Sequence, residues 1–177
     1  LHYPLRRQRQ MCIRDSPMGG ELNAKKDAPP SFLFAAMKDP RGANLDRLQI
    51  VKGWIEKEEM KEKVFNVAWS DERTVDEEGN ITAVGNTVNL EEATWKDTIG
   101  NAALLGIWSD PEHDPSKAAV YYARVLQIPT PRWTLYDKVR FGIKDMDEEI
   151  PLVTQERAYS SPIWYKPEKK LILNLED

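Results

Sequence analysis

The side chains best suited to chemistry are concentrated in Asp110-Pro111-Glu112-His113-Asp114-Pro115, where three carboxylates and one imidazole fall within five residues. Oxygen donors at this density suit a hard cation such as calcium. Two prolines stiffen the segment and no glycine lets the chain wrap around an ion, so it reads first as a solvated turn before a strand. A second acidic run, Asp145, Asp147, Glu148 and Glu149, reads as a solvated face. Glycosidic cleavage needs two carboxylates opposed across a cleft, and residue order alone pairs no two acids of this chain. His113 is the only imidazole after residue 16. Serine-type catalysis needs a histidine beside a nucleophile, and no Gly-x-Ser-x-Gly elbow accompanies it. Phosphate-binding glycine loops and the dinucleotide fingerprint are missing too, and Met18-Gly19-Gly20 is too short for a phosphate cradle.

Two further stretches combine charge with large rings. Pro129-Thr130-Pro131-Arg132-Trp133 sets a cation and an indole beside rigid prolines, and Gln155 to Tyr165 mixes an acid, a base, hydroxyls and three aromatics. Arginine grips anions through paired donors and tryptophan stacks on flat faces. Arg132, Trp133, Glu156 and Arg157 are therefore the candidate ligand-binding residues for a sugar or an anion. The structural alternative is that Glu156 and Arg157 tie a loop to a sheet while the aromatics fill a core. The sequence nominates no catalytic residue and no metal ligand.

The elements that would position these residues are extended. Twelve prolines interrupt long helices, and six tryptophans with six tyrosines argue against disorder. Ser31 to Met37, Leu45 to Ile55, Val64 to Trp69, Ala102 to Trp108 and Ala118 to Ile128 read as strands, the last being the strongest. Glu56 to Lys63 reads as a helical turn or a solvated hairpin loop. Asp76 to Asn80 is a turn in which Gly79 takes positive φ, and Asn86-Thr87-Val88 starts another extended piece. Pro129 and Pro131 stop pairing, Val139 to Ile143 reads as an edge strand, and Ile163 to Tyr165 and Leu171 to Leu173 close the chain as short strands. About eight short strands separated by turn signals predict a mostly β fold, an antiparallel β-sandwich with short helical turns and long loops. No βαβ alternation supports a parallel sheet.

Charge and composition exclude several classes. The net charge of −4 is mild, and no basic stripe supports nucleic-acid binding. No apolar run is long enough to span a bilayer. Met11-Cys12-Ile13-Arg14-Asp15-Ser16 is similar to the translation, in one frame, of a transposon end used to prepare sequencing libraries. Residues 1–16 are therefore read as a non-native leader, and 17–177 as one C-terminal β-rich domain of a larger protein. The leader holds the only cysteine, Cys12, so disulfide and thiol chemistry are not expected.

From Pro17 to about Tyr165 the chain resembles a bacterial family catalogued as domain of unknown function 3604. The resemblance runs through Met18-Gly19-Gly20, Asp46 to Trp54, Val67 to Ser70, Gly85 to Val88, the paired Asp110-Pro111 and Asp114-Pro115, Tyr121 to Val125, Ile128 to Trp133 and Gln155 to Tyr165. It implies a longer parent whose N-terminal part is a metal-dependent hydrolase of the polymerase-and-histidinol-phosphatase type, opening with a His-x-His pair that holds divalent metal. No His-x-His pair occurs here, so those ligands carry over to no residue, and no cofactor is expected in this chain. The implied role is the non-catalytic C-terminal portion, with that hydrolase domain as its partner. The compartment stays open, and an exported parent is the leaning. The alternative is an independent carbohydrate-binding β-sandwich module that works through exposed tryptophans.

Overall fold

The computed structural model describes residues 16–23 and 28–167. Its strands are β1 (Glu21–Asn23), β2 (Ser31–Met37), β3 (Leu45–Glu56), β4 (Glu59–Trp69), β5 (Ala103–Ser109), β6 (Ala119–Gln127), β7 (Thr130–Pro131), β8 (Val153–Thr154), β9 (Arg157–Tyr159) and β10 (Ile163–Lys166). One helix, α1, spans Trp133–Phe141. The expected mostly β, sandwich-like class is what the chain adopts.

Strand β3 organises the layers. It pairs antiparallel with β4 on one side and β6 on the other, so its backbone groups are satisfied on both edges. Leu48 and Ile50 on one face and Val51 on the other are fully buried, so the centre of the strand is covered on both sides although its sequence reads as an alternation. The turn to β4 is only two residues, Lys57 and Glu58, both with positive φ. That geometry matches the strands' right-handed twist, and it narrows the loop expected over Glu56 to Lys63 to its two central residues.

On the far side of β6 the chain from Arg157 to Lys166 runs as one interrupted strand. Strand β9 pairs with Arg124 to Leu126 and β10 with Ala119 to Tyr121. Between them Ser160 bridges the break, its N–H donating to Ala123 O at 3.0 Å and its Oγ accepting from the Ala123 N–H at 2.9 Å. The short β1 adds to β10 in parallel.

The second layer is the β2–β5 ribbon, paired antiparallel over its whole length. Phe32 drops from it into the core, with its ring centroid 4.9 Å from Tyr121 and 6.0 Å from Trp108. Ile50, Ala119 and Tyr165 complete this cluster, and Leu45, Leu48 and Leu104 form a second. Gly106 lets β5 lie close on β4, since a Cβ there would come within 2.9 Å of Val67 Cγ1.

Four expectations are corrected or moved. Val139 to Ile143 is not an edge strand: Val139 to Phe141 complete α1, and Gly142 ends it in the left-handed region at φ 63°. Lys138 and Arg140 in the last turn favour a helix C-terminus, whereas Val139, Phe141 and Ile143 alone mimic a strand alternation. Asn86 to Val88 starts no strand; the segment 70–102 contains only isolated bridges, such as Asn89 with Thr94. Thr130 and Pro131 do pair again, with Val153 and Thr154. Leu171 to Leu173 lies outside the described residues. The turn at Asp76 to Asn80 is present, with Gly79 at φ 85°.

Gly100 is the backbone position with least tolerance. Its φ is 78°, and a Cβ would lie 2.8 Å from Asn44 Cβ and from Ile128 Cγ2. Gly79 shares the sign of φ, but nothing lies within 4 Å of its would-be Cβ. Denaturant titration should show Gly100→Ala costing about 2–4 kcal/mol and Gly79→Ala only about 1 kcal/mol. Equal costs would refute the crowding at Gly100.

Candidate functional site

The four expected ligand-binding residues lie at the two ends of one ribbon. Arg132 precedes α1, and its N–H donates to Leu152 O at 2.9 Å. Trp133 opens the helix with its ring exposed. Both border a hollow of about 350 Å³ that Ile143, Met146 and Ile150 also line. Glu156 accepts the Gln127 N–H at its main-chain oxygen, and Arg157 pairs with Leu126 in β9. From Gln127 to Arg132 the chain advances on the order of 15 Å at ordinary strand rise, so Arg132 and Trp133 do not share a pocket with Glu156 and Arg157. The tie to the sheet comes from their neighbour Gln155, whose Nε2 donates to Asp46 Oδ2 and Gln127 O, each at 2.8 Å.

Chemistry-bearing groups converge instead under the β2–β5 layer. Asp110, at the end of β5, turns inward. Its Oδ2 lies 2.5 Å from Lys52 Nζ and accepts the Tyr121 hydroxyl at 2.7 Å, while Oδ1 accepts the Glu112 N–H at 2.9 Å. Lys52 also donates to Glu112 O at 2.7 Å. Lys52 and Asp110 have side-chain exposures of only 7% and 0%. A carboxylate and an ammonium survive such burial when paired and hydrogen-bonded together. Burial, reinforced by the bond to Asp110, pushes the Tyr121 phenol far above its ordinary value and keeps it a donor.

The acidic loop around this pair does not close on an ion. Asp110 faces Lys52, Glu112 pairs with Lys63, and Asp114 accepts the Ser116 N–H and hydroxyl and lies 3.8 Å from Lys117 Nζ. The three carboxylates thus diverge to three separate cations. His113 sets the edge of its ring against Tyr165, centroids 4.7 Å apart, and burial holds its pKa below the ordinary 6.5. Its Nε2 is buried without a hydrogen-bond partner among the described residues. Among the described residues no group of three or more histidine, cysteine or acidic side chains is arranged to hold a metal. With one imidazole and carboxylates committed to lysines, the donor set does not fit a transition-metal centre. The run Asp145 to Glu149 is an exposed turn in which Asp147 Oδ1 accepts the Glu149 N–H at 3.0 Å.

A second buried charge lies at the other end of β3. Asp46 Oδ1 is 2.7 Å from Arg73 Nη2, and the guanidinium directs N–H bonds to Ser70 O, Thr82 O and Asp46 O at 2.8–3.0 Å. This clamp pins the start of the long 70–102 segment to the sheet. Sequence reasoning passed over Lys52, Tyr121, Asp46 and Arg73. The available signal was Lys52 itself: a lysine inside the apolar run Leu48 to Trp54 requires a buried acid.

The profile of the family described as protein of unknown function (DUF3604) matches residues 7–167. The chain belongs to this family. The matched span covers both buried charge clusters and both ends of the ribbon that carries Arg132, Trp133, Glu156 and Arg157. Neither the curated proteins nor the solved structures searched contain a match.

Lys52→Met strands a buried carboxylate and should lower stability by about 3–5 kcal/mol, while Lys52→Met combined with Asp110→Leu should recover most of that loss. Additive losses in chemical denaturation would contradict the pairing. Acid should act through His113 first. Its lowered folded-state pKa means that the unfolded chain takes up the proton more readily. The stability linked to neutral His113 is complete above about pH 6.5 and is lost as pH falls toward the folded-state value. Hydrogen bonds from Lys117 to Glu56 and from Ser116 to Asp114 hold those carboxyls below their ordinary values, which extends the loss to more acidic pH. Melts between pH 7 and 5 should show Tm falling less in His113→Gln than in the wild type.

Proposed function

We propose that the chain is the non-catalytic, β-rich C-terminal portion of a metal-dependent, phosphoesterase-like hydrolase, and that it docks onto the hydrolase body. The observation that carries this reading is the β2–β5 ribbon, which is apolar on both faces. Phe32 and Leu104 point into the core, whereas Leu33, Met37, Leu105 and Ile107 point outward at 69–83% exposure. On that outer face Leu33 pairs with Ile107, Leu105 with Ala35, Met37 with Ala103, and Ser31 with Ser109. The two serine hydroxyls bond each other at 2.6 Å, so covering the face leaves a single hydroxyl proton to be met. Contiguous exposed apolar surface of this kind marks an interaction site.

The interior charges support the same reading. Lys52 with Asp110, and Asp46 with Arg73, are paired with one another inside the fold. The body would supply the divalent metal, which lowers the pKa of bound water and stabilises charge on a phosphoryl oxygen. Arg132 and Trp133, with the hollow beside them, are the residues of this chain best placed to form a wall of that body's cleft. The test is phosphoester hydrolysis with manganese or zinc. Residues 17–177 alone should show no turnover, and the same segment joined to its upstream reading frame should show it. Turnover by the isolated chain that survives chelation controls would defeat the proposal.

A further inference from the structure

The outer face of the six-stranded sheet, opposite the β2–β5 layer, carries a row of rings. Trp164 stands directly across from Val120, two positions from Tyr122 on the same face, and Tyr159 stands across from Arg124, two positions beyond Tyr122. Diagonal neighbours of this kind lie roughly 7–8 Å apart, and the Tyr122 and Tyr159 ring centroids are 6.2 Å apart. Trp164 is 50% and Tyr159 58% exposed. The Tyr122 and Tyr159 rings are inclined at 49° to each other, so the row is an extended but not flat aromatic surface.

Polar groups flank the row in a fixed order. Arg124 Nε donates to Gln49 Oε1 at 2.9 Å, Gln49 Nε2 to Asn66 Oδ1 at 2.8 Å, and Asn66 Nδ2 to Gly79 O at 2.8 Å. This relay anchors the guanidinium through its Nε, and its Nη groups make no hydrogen bond among the described residues. The hydroxyls of Tyr122 and Tyr159 are likewise uncommitted there, and the Glu62 carboxylate is close enough to Tyr122 to raise its pKa, after burial, while Arg124 opposes it. The face thus offers stacking surface, donors, an acceptor and charges of both signs.

We propose that this face binds an extended, neutral oligosaccharide. Sugar rings would stack their C–H faces on Trp164, Tyr122 and Tyr159, and hydroxyls would bond to Arg124 and the tyrosine hydroxyls. Glu62 beside Tyr122 disfavours a densely anionic polymer. The site is independent of the hydrolase reading, because it lies on the opposite face of the sheet from the β2–β5 ribbon.

The test is calorimetric titration of the full 177-residue chain with cellohexaose, with a glucuronate-containing hexasaccharide for comparison. Saturable binding of the neutral sugar is expected, weakened at least about tenfold by Trp164→Ala and by Tyr159→Ala and unchanged by Phe141→Ala, which removes an exposed ring from α1. Circular dichroism checks that each variant is folded, and Trp164→Phe, a milder change, should weaken binding less than Trp164→Ala. Absence of heat up to millimolar sugar, preference for the charged sugar, or binding lost with Phe141→Ala instead would overturn the proposal. So would a monomer–dimer equilibrium in sedimentation that Trp164→Ala abolishes, since that would assign the face to a second copy of the chain.

Discussion

A lysine in the middle of the central strand is the constraint around which the rest is arranged. Lys52 sits on the core-facing side of β3, where an unpaired ammonium is not tolerated. Its partner, Asp110, lies at the end of the second layer, and Tyr121, from β6, bonds the same carboxylate. One polar knot therefore ties together the central strand, its neighbour and the ribbon above them. Because each member is satisfied only when all are in place, the knot sets how β2 and β5 lie over the sheet. The loop after Asp110 follows from it: with the first acid drawn inward, Glu112 and Asp114 are left outside to meet Lys63 and Lys117.

The two outward surfaces of the sandwich differ in kind. The exposed face of the β2–β5 ribbon is aliphatic, without charge, and its only hydroxyls are paired with each other. Water gains nothing there, and burial against another apolar layer is favourable by roughly 25 cal/mol per Å². The outer face of the large sheet has rings set among amides, a guanidinium and a carboxylate. Such a surface stays wet by itself and rewards a ligand that can both stack and hydrogen-bond. One face suits a protein body and the other a polar ligand, so a single small domain can serve two partners without their competing.

Much of the strand layout was legible in the residues. The run Ser31 to Met37 matches β2 residue for residue, and β3 and β6 fall within a residue or two of the stretches read as strands. Alternation, β-branched content and flanking prolines report locally on backbone conformation. They failed at α1, where a mostly exposed helix carries no clear apolar stripe and its end was read as a strand. They failed again in the 70–102 segment, which is held by Asn44, Asp46 and Arg73 instead of by a ladder. The sequence set Arg132 and Trp133 as a cation and a ring beside prolines, and the structure leaves the Trp133 ring exposed. Their separation from Glu156 and Arg157 depends on the β7–β8 ribbon, which two-residue strands do not announce.

By itself the sequence determined what each segment can be: which runs extend, where Gly79 allows a turn, and that one imidazole and no thiol remain after residue 16. Only the tertiary structure decided which charges are neighbours. Lys52 and Asp110 are far apart along the chain, as are Asp46 and Gln155, and their meeting depends on strand order and register, which no local pattern encodes. The same holds for the row of Trp164, Tyr122 and Tyr159. Three aromatics from separate segments become one surface because an interrupted strand happens to run in register along β6.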